Sequence, residues 1–557
     1  MVKNRLRAAL SEALTAAIER GELRSAPAPE IELLAPPDPK FGDFSTNLAM
    51  VAAGAQRRPP REVAQILLAR LGGLEDLLER VEIAGPGFIN FYLKPTWLED
   101  AVREAHARGE RWGGGADGAG EKVLLEFVSA NPVGPLTVAQ GRAAAIGDSL
   151  GRLLEARGRE VCREYYVNDA ASSTQVRKLA ESLDARYCQA LGQDKPVPED
   201  GYQGEYLAEM ARGIVEREGD RYLGMPGEER LRAFSAIAEQ WFIEDHRRVL
   251  EAFGVVFDHW FRESSLYASG EVEQALALLR ERGGTYEAEG ALWLRATAFG
   301  DDKDRVLVRR SGKPTYIAAD AAYHRKKFDR GFSRLIDILG PDHHGYVART
   351  KAAVAALGYP ADRLDIIIHQ IVRLFRGGEL VRMSKRAGDI ITLEEVIDQV
   401  GTDAARYFFL MRSADSPLDF DLDLAVQQTA ENPVYYVQYA HARISSILRN
   451  AAEQGVKTPD PLRADLSLLR QPDELVLMRK LADFPEEVET AARLYEPHRL
   501  TRFASELAGV FHLFYTNCRV LGDDPELTGA RLTLVGAALI TLANVLRLLG
   551  VSAPEKM

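Results

Sequence analysis

The stretch KVLLEFVSANPVGPLTVAQGRAAAIGDSLGRLLEARGREVCREYYV, Lys122–Val167, decides the fold of this chain of 557 residues. It opens with a compact apolar segment typical of a strand, Lys122–Val128, and closes with a second one, Val161–Val167. Between them, Val138–Ala156 has the apolar spacing of a helix and follows a turn rich in proline and glycine at Asn131–Pro135. Strand, turn, helix and strand in succession form a βαβ unit, which predicts a parallel sheet.

The same alternation returns further along the chain. Arg305–Arg309, Leu335–Leu339 and Leu364–His369 are strand-like, and a helix-like segment around Val347–Leu357 separates the last two. We expect these segments to complete a split doubly wound sheet, with its ligand crevice at the C-terminal ends of the strands. The mostly helical and polar residues from about 172 to 295 are interpreted as an insertion.

Two further regions flank this sheet. Residues 1–112 combine helix-like segments with a strand–turn–strand pattern at Val81–Leu93, and lead into a glycine-rich stretch, Gly113–Gly120, that we expect to be a flexible linker. The C-terminal region has only helical periodicity, over Asn432–Asn450, Pro472–Leu494, His498–Leu521 and Gly529–Leu549. The predicted fold is multidomain α/β: an N-terminal α+β domain, a Rossmann-like parallel-sheet domain at 113–425, and an all-helical bundle at 426–557.

Composition excludes several classes of protein. Hydrophobic residues make up 46% and charged residues 27% of the chain, which excludes a disordered or fibrous protein. The charge sum, 70 − 82 = −12, argues against a generally basic nucleic-acid coat but not against a local basic groove. Three scattered cysteines fit a reducing compartment. The longest apolar stretch, Leu532–Leu546, is too short to span a bilayer, and the N-terminus has no signal-peptide pattern. We therefore expect a soluble cytoplasmic protein without a membrane partner.

Two of the candidate sites suit phosphate groups. The turn Asn131–Pro135 precedes a helix, and a helix N-terminus offers free backbone N–H groups and a positive dipole end to a phosphate. A purely structural turn explains the same residues about as well, and neither GxGxxG nor GxxxxGK[ST] is present. The second candidate is VRMSKRAGDI, where Arg382, Lys385 and Arg386 form a cationic loop suited to a triphosphate, although such a loop is often only solvated.

The other two candidates carry acidic and imidazole groups. In TYIAAD, Tyr316 and Asp320 are four residues apart and would share one face of a helix. Together with Glu126 they would suit a planar guanidinium, which takes bidentate hydrogen bonds and ring stacking. The alternative is an exposed aspartate and a half-buried tyrosine. In GPDHHGY, Gly340–Tyr346, consecutive side chains on an extended segment would point to opposite faces, so we expect no metal site.

In their order and spacing these motifs resemble bacterial arginyl-tRNA synthetases over nearly the whole chain. NPVGPLTVAQGR stands where class I synthetases have their His-x-Gly-His signature, and RMSKR, Arg382–Arg386, where they have Lys-Met-Ser-Lys-Ser. FGDFSTNLAM and AGPGFINF resemble the additional N-terminal tRNA-binding domain of the family. ENPVYYVQYAHAR and the terminal LGVSAPEKM resemble its helical anticodon-binding domain.

The resemblance implies a two-step reaction without a covalent enzyme intermediate. Arginine and ATP would give arginyl-adenylate and pyrophosphate, and the arginyl group would then pass to the 3′ end of tRNA(Arg). Activation before tRNA binding is not expected in this family. ATP would enter as a substrate with Mg²⁺, and no bound prosthetic group or dedicated metal site is expected. The expected assembly is a monomer.

The resemblance also assigns residues. It implies that arginine is bound by Glu126, Asn131, Tyr316 and Asp320. It implies catalytic roles for Thr137, Gln140, Arg382 and Lys385, and contacts to ATP from Pro135, Ala139, Gly141, Met383, Ser384 and Lys385. It implies anticodon contacts from Tyr515, Arg519 and Met557. Residues 426–557 contain 14 Lys and Arg against 16 Asp and Glu, a net charge of −2, so a groove for RNA has to come from spatial clustering.

One departure keeps other functions open. Where the signature has histidines, this chain has Thr137 and Gln140, and Ala139 stands in place of the glycine. Glutamine can still donate a hydrogen bond to a phosphate, but only as a neutral group, so we expect an active and somewhat slower enzyme. The alternatives are a tRNA-binding paralogue that has lost activation, and a class I nucleotidyl-transfer enzyme that uses no RNA.

Overall fold

The computed structural model describes residues 2–36, 38–169, 174–381 and 391–557. The chain divides into two compact units. One comprises Met1–Trp112, Ile444–Glu486 and Gly509–Thr541, and the other comprises Gly113–Arg443, Glu487–Ala508 and Leu542–Met557. We call them the first and the second unit.

The N-terminal part of the first unit is an α+β structure. Its elements are α1 (Val2–Glu19), β1 (Phe44–Thr46), α2 (Leu48–Gln56), α3 (Pro60–Arg70), β2 (Leu78–Ala84), β3 (Phe88–Leu93) and α4 (Thr96–Arg108). The strands form an antiparallel sheet in the order β1-β3-β2. The amphipathic pattern of the first helix has the expected effect, because α1 buries Leu6, Leu10 and Leu14. The predicted strand–turn–strand is the β2–β3 hairpin.

The second unit is built around a parallel sheet. Its elements up to the C-terminal helices are β4 (Lys122–Glu126), α5 (Val138–Ala156), β5 (Glu160–Val167), α6 (Thr174–Ala190), α7 (Glu205–Glu218), α8 (Gly227–Ala252), β6 (His259–Arg262), α9 (Ser264–Ala268), α10 (Glu271–Glu281), β7 (Thr285–Ala288), β8 (Ala291–Leu294), β9 (Arg305–Val308), α11 (Tyr316–Asp329), β10 (Arg334–Leu339), α12 (Tyr346–Ala356), β11 (Leu364–Ile368), β12 (Val372–Arg376), β13 (Glu379–Leu380), α13 (Leu393–Val400), α14 (Thr402–Phe409), β14 (Leu418–Asp421) and α15 (Leu422–Ala425).

The central sheet has the strand order β11-β10-β4-β5-β6, and all its pairs are parallel. The predicted βαβ unit is confirmed as β4-α5-β5. The strands β5 and β6 extend the sheet to one side of β4, whereas β10 and β11 extend it to the other side. This change of direction between β4 and β10 places a ligand crevice at the C-terminal ends of these two strands. Two smaller sheets, β7-β8-β9 and β13-β12-β14, complete the unit.

Two strand assignments made from the sequence are wrong. Arg305–Arg309 was expected in the parallel sheet, but β9 pairs antiparallel with β8, which itself pairs with β7. The segment from 172 to 295 was interpreted wholly as an insertion, yet it contains β6, a strand of the central sheet. β6 has only four residues, too few for alternation to be visible between long helical segments.

Two boundaries also differ from the prediction. Gly113–Gly120 is not a free linker, because the N–H groups of Gly115 and Gly118 donate to the carbonyls of Ala156 and Arg157, at 2.8 and 3.0 Å. The first strand of the sheet ends at Glu126 rather than Val128. Val128 and Ser129 have φ angles of 70° and 40°, in the left-handed region, where a strand cannot continue.

The C-terminal region contains the predicted helices, α16 (Pro433–Glu453), α17 (Pro472–Leu494), α18 (His498–Asn517) and α19 (Pro525–Leu549). Residues 422–557, all of which the structure describes, contain no strand. Each of these four helices has residues in both units. By length and composition α19 could cross a membrane, but 72% of its most apolar stretch is buried inside the protein, as in a core helix.

A buried arginine connects several elements of the second unit. Arg406 on α14 is fully buried, and its guanidinium donates to the Leu549 carbonyl at the end of α19 and to the Phe253 carbonyl after α8. It also pairs with Asp148 on α5 at 2.5 Å. A cation at the C-terminal end of a helix satisfies its free carbonyls and its dipole. Arg406 therefore fixes the end of α19 to α5.

Candidate active site

A cavity of about 390 Å³ lies at the C-terminal ends of β4, β5, β10 and β11, with α11 along one side. All four residues predicted to bind arginine, Glu126, Asn131, Tyr316 and Asp320, line it. Tyr316 and Asp320 share a helix, as the spacing predicted, because both lie on α11. Tyr316 is 59% exposed at the start of the helix, whereas Glu126 is buried at the end of β4. The structure therefore brings these four residues together.

The Glu126 carboxylate already has protein partners. Its Oε2 lies 2.6 Å from the ammonium of Lys327, and its Oε1 accepts a hydrogen bond from the Ser129 hydroxyl at 2.9 Å. Lys327 is fully buried and also contacts Asp337 on β10, at 2.7 Å. Glu126 thus differs from the free carboxylate that the sequence suggested. Burial raises its pKa, and the Lys327 charge opposes that shift.

The register of the sheet explains why acidic groups accumulate here. Glu126 pairs with Asp337 on one side and with Glu164 on the other, so three carboxylates occupy one row across adjacent strands. Glu164 accepts hydrogen bonds from Tyr323 at 2.7 Å and from Arg330 at 2.5 Å. The side chains that neutralise this row therefore come largely from α11 and the turn after it.

Two carboxyl groups beside this row lack such partners. Burial raises the pKa of Asp320 to about 6, and the nearby Glu126 charge contributes. Burial and the Asp320 charge raise the pKa of Glu263, which is 2% exposed, to about 7. No Lys or Arg within the described ranges forms an ion pair with either group. Asp320 lines the cavity and its charge acts on the nearby Glu263, so a cationic ligand in the cavity would stabilise the ionised form of Asp320.

The start of α5 is the counterpart of the class I signature. The Thr137 backbone N–H donates to the Gln140 side-chain carbonyl at 3.0 Å, and the Thr137 hydroxyl bonds to the same oxygen, as in a capping box. The Gln140 amide nitrogen has no partner among the described residues and is free to donate. Pro135, Thr137, Ala139 and Gln140 are all half-buried.

Gly141, which the resemblance implies to contact ATP, is buried at the start of α5. A Cβ atom there would lie 2.6 Å from Leu393 and 3.0 Å from Phe409. The missing side chain therefore makes room for α13 and α14, and a contact of Gly141 with ATP would have to use its backbone.

The cationic loop, with Arg382, Met383, Ser384, Lys385 and Arg386, lies outside the described residues. Thr392 and Leu393, shortly after this gap, are bound to the segment that carries the signature. Thr392 pairs with Thr137 in an isolated antiparallel bridge, and the Leu393 N–H donates to the Leu136 carbonyl at 2.8 Å. Thr392 also caps α13.

The sequence suggested that the GPDHHGY segment is extended, and the structure shows that it is not. Pro341–His343 form a turn of 3₁₀-helix, and Asp342 and His343 both line the cavity. Within the described residues, no three His, Cys, Asp or Glu side chains form a group that could hold a metal ion.

The residues predicted to contact the anticodon lie in different units. Tyr515 and Arg519 belong to the first unit, and Met557 to the second. Tyr515 is 40% and Met557 55% exposed. Arg519 is exposed too, but α18 ends at Asn517, so Tyr515 and Arg519 are not one helical turn apart as expected. In the second unit the chain end is held by Pro554, whose carbonyl bonds to His441 at 2.8 Å.

Sequence reasoning missed Lys327, Asp337 and Glu263. Lys327 follows Asp320 by seven residues, a spacing that keeps both on one side of a helix, and this signal was available. Asp337 is the one charged residue in the interior of the strand RLIDIL, which was a second signal. Glu263 could not have been found in this way, because β6, the strand that it directly follows, was not recognised.

The comparisons with known proteins agree with this arrangement. Family models for the arginyl-tRNA synthetase N-terminal domain, the class I (R) tRNA synthetase catalytic domain and the DALR anticodon-binding domain match residues 2–93, 102–416 and 437–557. The chain is 50% identical over 560 residues to an arginine–tRNA ligase of Heliobacterium modesticaldum, covering 100% of this chain and 99% of the relative. It is 52% identical over 542 residues to that of Carboxydothermus hydrogenoformans, covering 97% of each.

The fold has a solved counterpart as well. The structure of Thermus thermophilus arginyl-tRNA synthetase aligns with a TM-score of 0.78 and 26% sequence identity, over 99% of this chain and all of that one. The relatives and the structure extend over the parallel sheet, its acidic cavity and both flanking regions. The chain therefore belongs to the arginyl-tRNA synthetase family, within the class I aminoacyl-tRNA synthetases.

Proposed function

We propose that this protein activates L-arginine with ATP and transfers the arginyl group to tRNA(Arg), as an arginine–tRNA ligase of class I. The observation that carries the proposal is the Asp320 carboxyl group, which lines the cavity with Glu126 and has no cationic partner among the described residues. An acid with a raised pKa in an acidic cavity favours a ligand that brings a delocalised positive charge.

The geometry suits a guanidinium better than an ammonium group. A guanidinium presents five N–H donors in a planar fork and can bind the Asp320 carboxylate through two parallel hydrogen bonds, with Tyr316 in the same cavity lining. Lysine has the same charge, but as a point donor it would leave buried carboxylate oxygens unpaired. Glu126 and Asn131, which line the same cavity, are then assigned to the α-amino end of the substrate.

In the activation step an oxygen of the arginine carboxylate attacks the α-phosphorus of ATP, and the bond to the bridging oxygen of pyrophosphate breaks. Catalysis depends on positioning and on neutralising the charge that develops on the phosphates. We assign that neutralisation to Lys385 and Arg382, to the N-terminal end of α5, and to the free amide of Gln140. The proposed contacts to ATP are Pro135, Ala139, the Gly141 backbone, Met383, Ser384 and Lys385, and Mg²⁺ would enter with ATP.

In the transfer step a hydroxyl of the terminal adenosine of tRNA attacks the activated carbonyl carbon, and AMP leaves. We assign anticodon contacts to Tyr515, Arg519 and Met557, since an exposed aromatic ring can stack on an unpaired base. We further propose that tRNA must be bound before arginine is activated. The expected setting is the cytoplasm, with the protein as a monomer without a prosthetic group or a membrane partner.

The test is a pair of assays on the purified full chain. Labelled arginine should be transferred to tRNA in the presence of ATP, and the other nineteen amino acids should not compete. ATP–pyrophosphate exchange with arginine should require the tRNA. A protein that binds tRNA but forms no arginyl-tRNA would instead be a paralogue that has lost activation, and exchange at full rate without tRNA would contradict the proposed order of binding.

A further inference from the structure

We propose that Lys327 is a positioning residue of the arginine site, which holds the Glu126 carboxylate ionised and in place at the end of β4. The inference rests on the proposed function only in taking arginine as the ligand. Lys327 lies behind the cavity and is fully buried, so its own ammonium group has no route to ATP or tRNA in this structure.

The contacts of the ammonium define its role. Its Nζ lies 2.6 Å from Glu126 Oε2 and 2.7 Å from Asp337 Oδ1, and 4.2 Å from the centre of the Tyr323 ring. The second oxygen of Asp337 is occupied by His324 Nε2 at 2.8 Å. Of the two carboxylates that Lys327 binds, Glu126 is the one that is predicted to contact arginine.

A second feature of the structure also holds the Glu126 carboxylate. Val128 and Ser129 both adopt left-handed φ angles, and this turn brings the Ser129 hydroxyl back to Glu126 Oε1. Such a conformation is unfavourable for a β-branched residue such as valine, and strain of this kind persists where the surroundings impose it. Two independent features, a buried cation and a strained turn, thus fix the orientation of one carboxylate that lines the cavity.

Charge explains why a buried lysine serves a cationic substrate. Three carboxylates in one row would repel one another and resist ionisation, so each would become protonated more easily. The single charge of Lys327 removes part of that repulsion but leaves the cavity negative, so that a cation is still attracted. The pKa of Lys327 is raised by Asp337 and Glu126, which outweigh its burial, so the ammonium stays charged at neutral pH.

Other groups face Glu126 and have to be considered in any pH experiment. They come from β5, β10, α11 and the turn after β10, and comprise Glu164, Tyr166, Asp337, Asp320, Tyr323, His324, Asp342 and His343. The Lys327 charge also lowers the pKa of Asp320, so loss of Lys327 raises the pKa of both carboxyl groups. A comparison of variant and wild type at each pH removes the contributions that both share, and Ser129→Ala, which leaves the Lys327 charge in place, distinguishes an effect through Glu126 from one through Asp320.

The test is calorimetric titration of L-arginine into the full chain, which needs no turnover. Lys327→Met should weaken binding about tenfold or more at pH 7, and the ratio of variant to wild-type dissociation constants should fall towards one by pH 9. Without the ammonium, the pKa of Glu126 moves further up, so its ionised form returns only as the pH rises. Lys326→Met is the matched control, since Lys326 is the adjacent residue and pairs with Glu271 instead, at 2.5 Å.

Ser129→Ala separates positioning from folding, because it removes the other hold on Glu126 without burying a charge. It should weaken arginine binding several-fold, with a ratio that depends less on pH than that of Lys327→Met, because one neutral hydrogen bond stabilises the ionised carboxylate less than a buried cation does. Unaltered affinity in Lys327→Met, or a loss that is the same at pH 7 and pH 9, would overturn the inference. If Lys327→Met does not fold, unaltered affinity in Ser129→Ala overturns it. A wild type that binds arginine but charges no tRNA would refute the proposed function and leave this inference standing.

Discussion

Asp320 and Lys327, seven residues apart on α11, are half-buried and fully buried, and their charged groups have different partners. Lys327 has two carboxylates within 2.7 Å, and their charge outweighs the cost of burying an ammonium. Asp320 has no such partner, so burial raises its pKa to about 6. A buried ionisable group without a partner is costly to a folded protein unless a ligand completes it. At the scale of single residues, we therefore expect a substitution of Asp320 to have a large effect on arginine binding.

Asp320→Asn should raise the arginine KM about ten- to hundredfold and leave the ATP KM nearly unchanged. Hydrogen bonds to a charged group contribute about 1.5–3 kcal/mol, and the asparagine amide adds donors where only acceptors are useful. The measurement is steady-state aminoacylation with each substrate varied in turn. Asp329→Asn, at the end of the same helix and outside the cavity lining, is the matched control and should behave as wild type. Equal activation of lysine and arginine by the wild type would refute the assignment.

Arginine binding should weaken as the pH falls from 8 to 5.5. Burial raises the pKa of Asp320 to about 6, so Asp320 must release a proton before it can pair with a guanidinium, and the nearby Glu263, whose pKa burial raises to about 7, ionises in the same range. The dissociation constant should rise by up to about tenfold per pH unit for each proton released. Without arginine the sign is opposite. Both groups bind protons more readily in the folded state, so their contribution to stability is lost as the pH rises through 6 and 7. Thermal unfolding with and without arginine should show a stabilisation that grows with pH.

At the scale of elements, the start of α5 combines a cap with the position that we propose to contact the ATP phosphates. The Gln140 carbonyl closes the capping interaction with Thr137, and the Gln140 amide has no partner among the described residues. A histidine, which stands here in the class I signature, would provide the donor but a poorer acceptor for the cap. In our proposal the carbonyl of Gln140 caps the helix and its amide binds a phosphate.

Gln140→Glu should separate these tasks. A glutamate at this position of a capping box accepts the same hydrogen bonds, so the midpoint of thermal unfolding should stay within about a degree of wild type. Its charge would repel the phosphates, and kcat should fall at least tenfold with a higher ATP KM. Gln140→His should show the reverse: a small loss of stability, with kcat held or raised. If both variants lose stability and activity in parallel, Gln140 has no separate role towards ATP.

The elements that could be predicted from sequence are those whose pattern is long. The βαβ unit and the C-terminal helices are confirmed, because each has several turns or strand residues of consistent periodicity. β6 and β9 were misassigned, since four residues can pair with any accessible edge and the partner strand is chosen by the rest of the fold. For the same reason the pairing of Glu126 with Lys327 and Asp337 could not be predicted. It depends on strand order, which no local pattern specifies.

At the scale of the whole second unit, Arg406 connects residues more than 100 positions apart in the sequence. It joins α5, the chain after α8 and the end of α19 through one buried guanidinium. Gly550, just beyond α19, allows this contact: its φ is +68°, and a Cβ atom there would lie 2.1 Å from Arg406 Nη2. The end of α19 and the helix α5 are therefore held by the same buried guanidinium.

Gly550→Ala should lower the stability of the folded protein by about 2–4 kcal/mol, from left-handed backbone strain together with disrupted buried hydrogen bonds. Thermal and urea unfolding measure the change. Gly219→Ala is the control, since Gly219 has a similar φ of +61° but no atom within 4 Å of an added Cβ. It should cost only the backbone part, about 1–2 kcal/mol. Equal effects of the two variants would show that the Arg406 contact contributes nothing.

The left-handed turn at Val128–Ser129 has a consequence for selection experiments. Each such residue costs about 1–3 kcal/mol relative to relaxed backbone, and glycine at the valine position would remove most of that cost. A library screened for survival at high temperature should therefore enrich glycine or asparagine at position 128. If the turn serves to aim the Ser129 hydroxyl, those survivors will be the most heat-tolerant clones and among the poorest users of arginine. Thermal screening of this protein should accordingly hold residues 126–129 fixed.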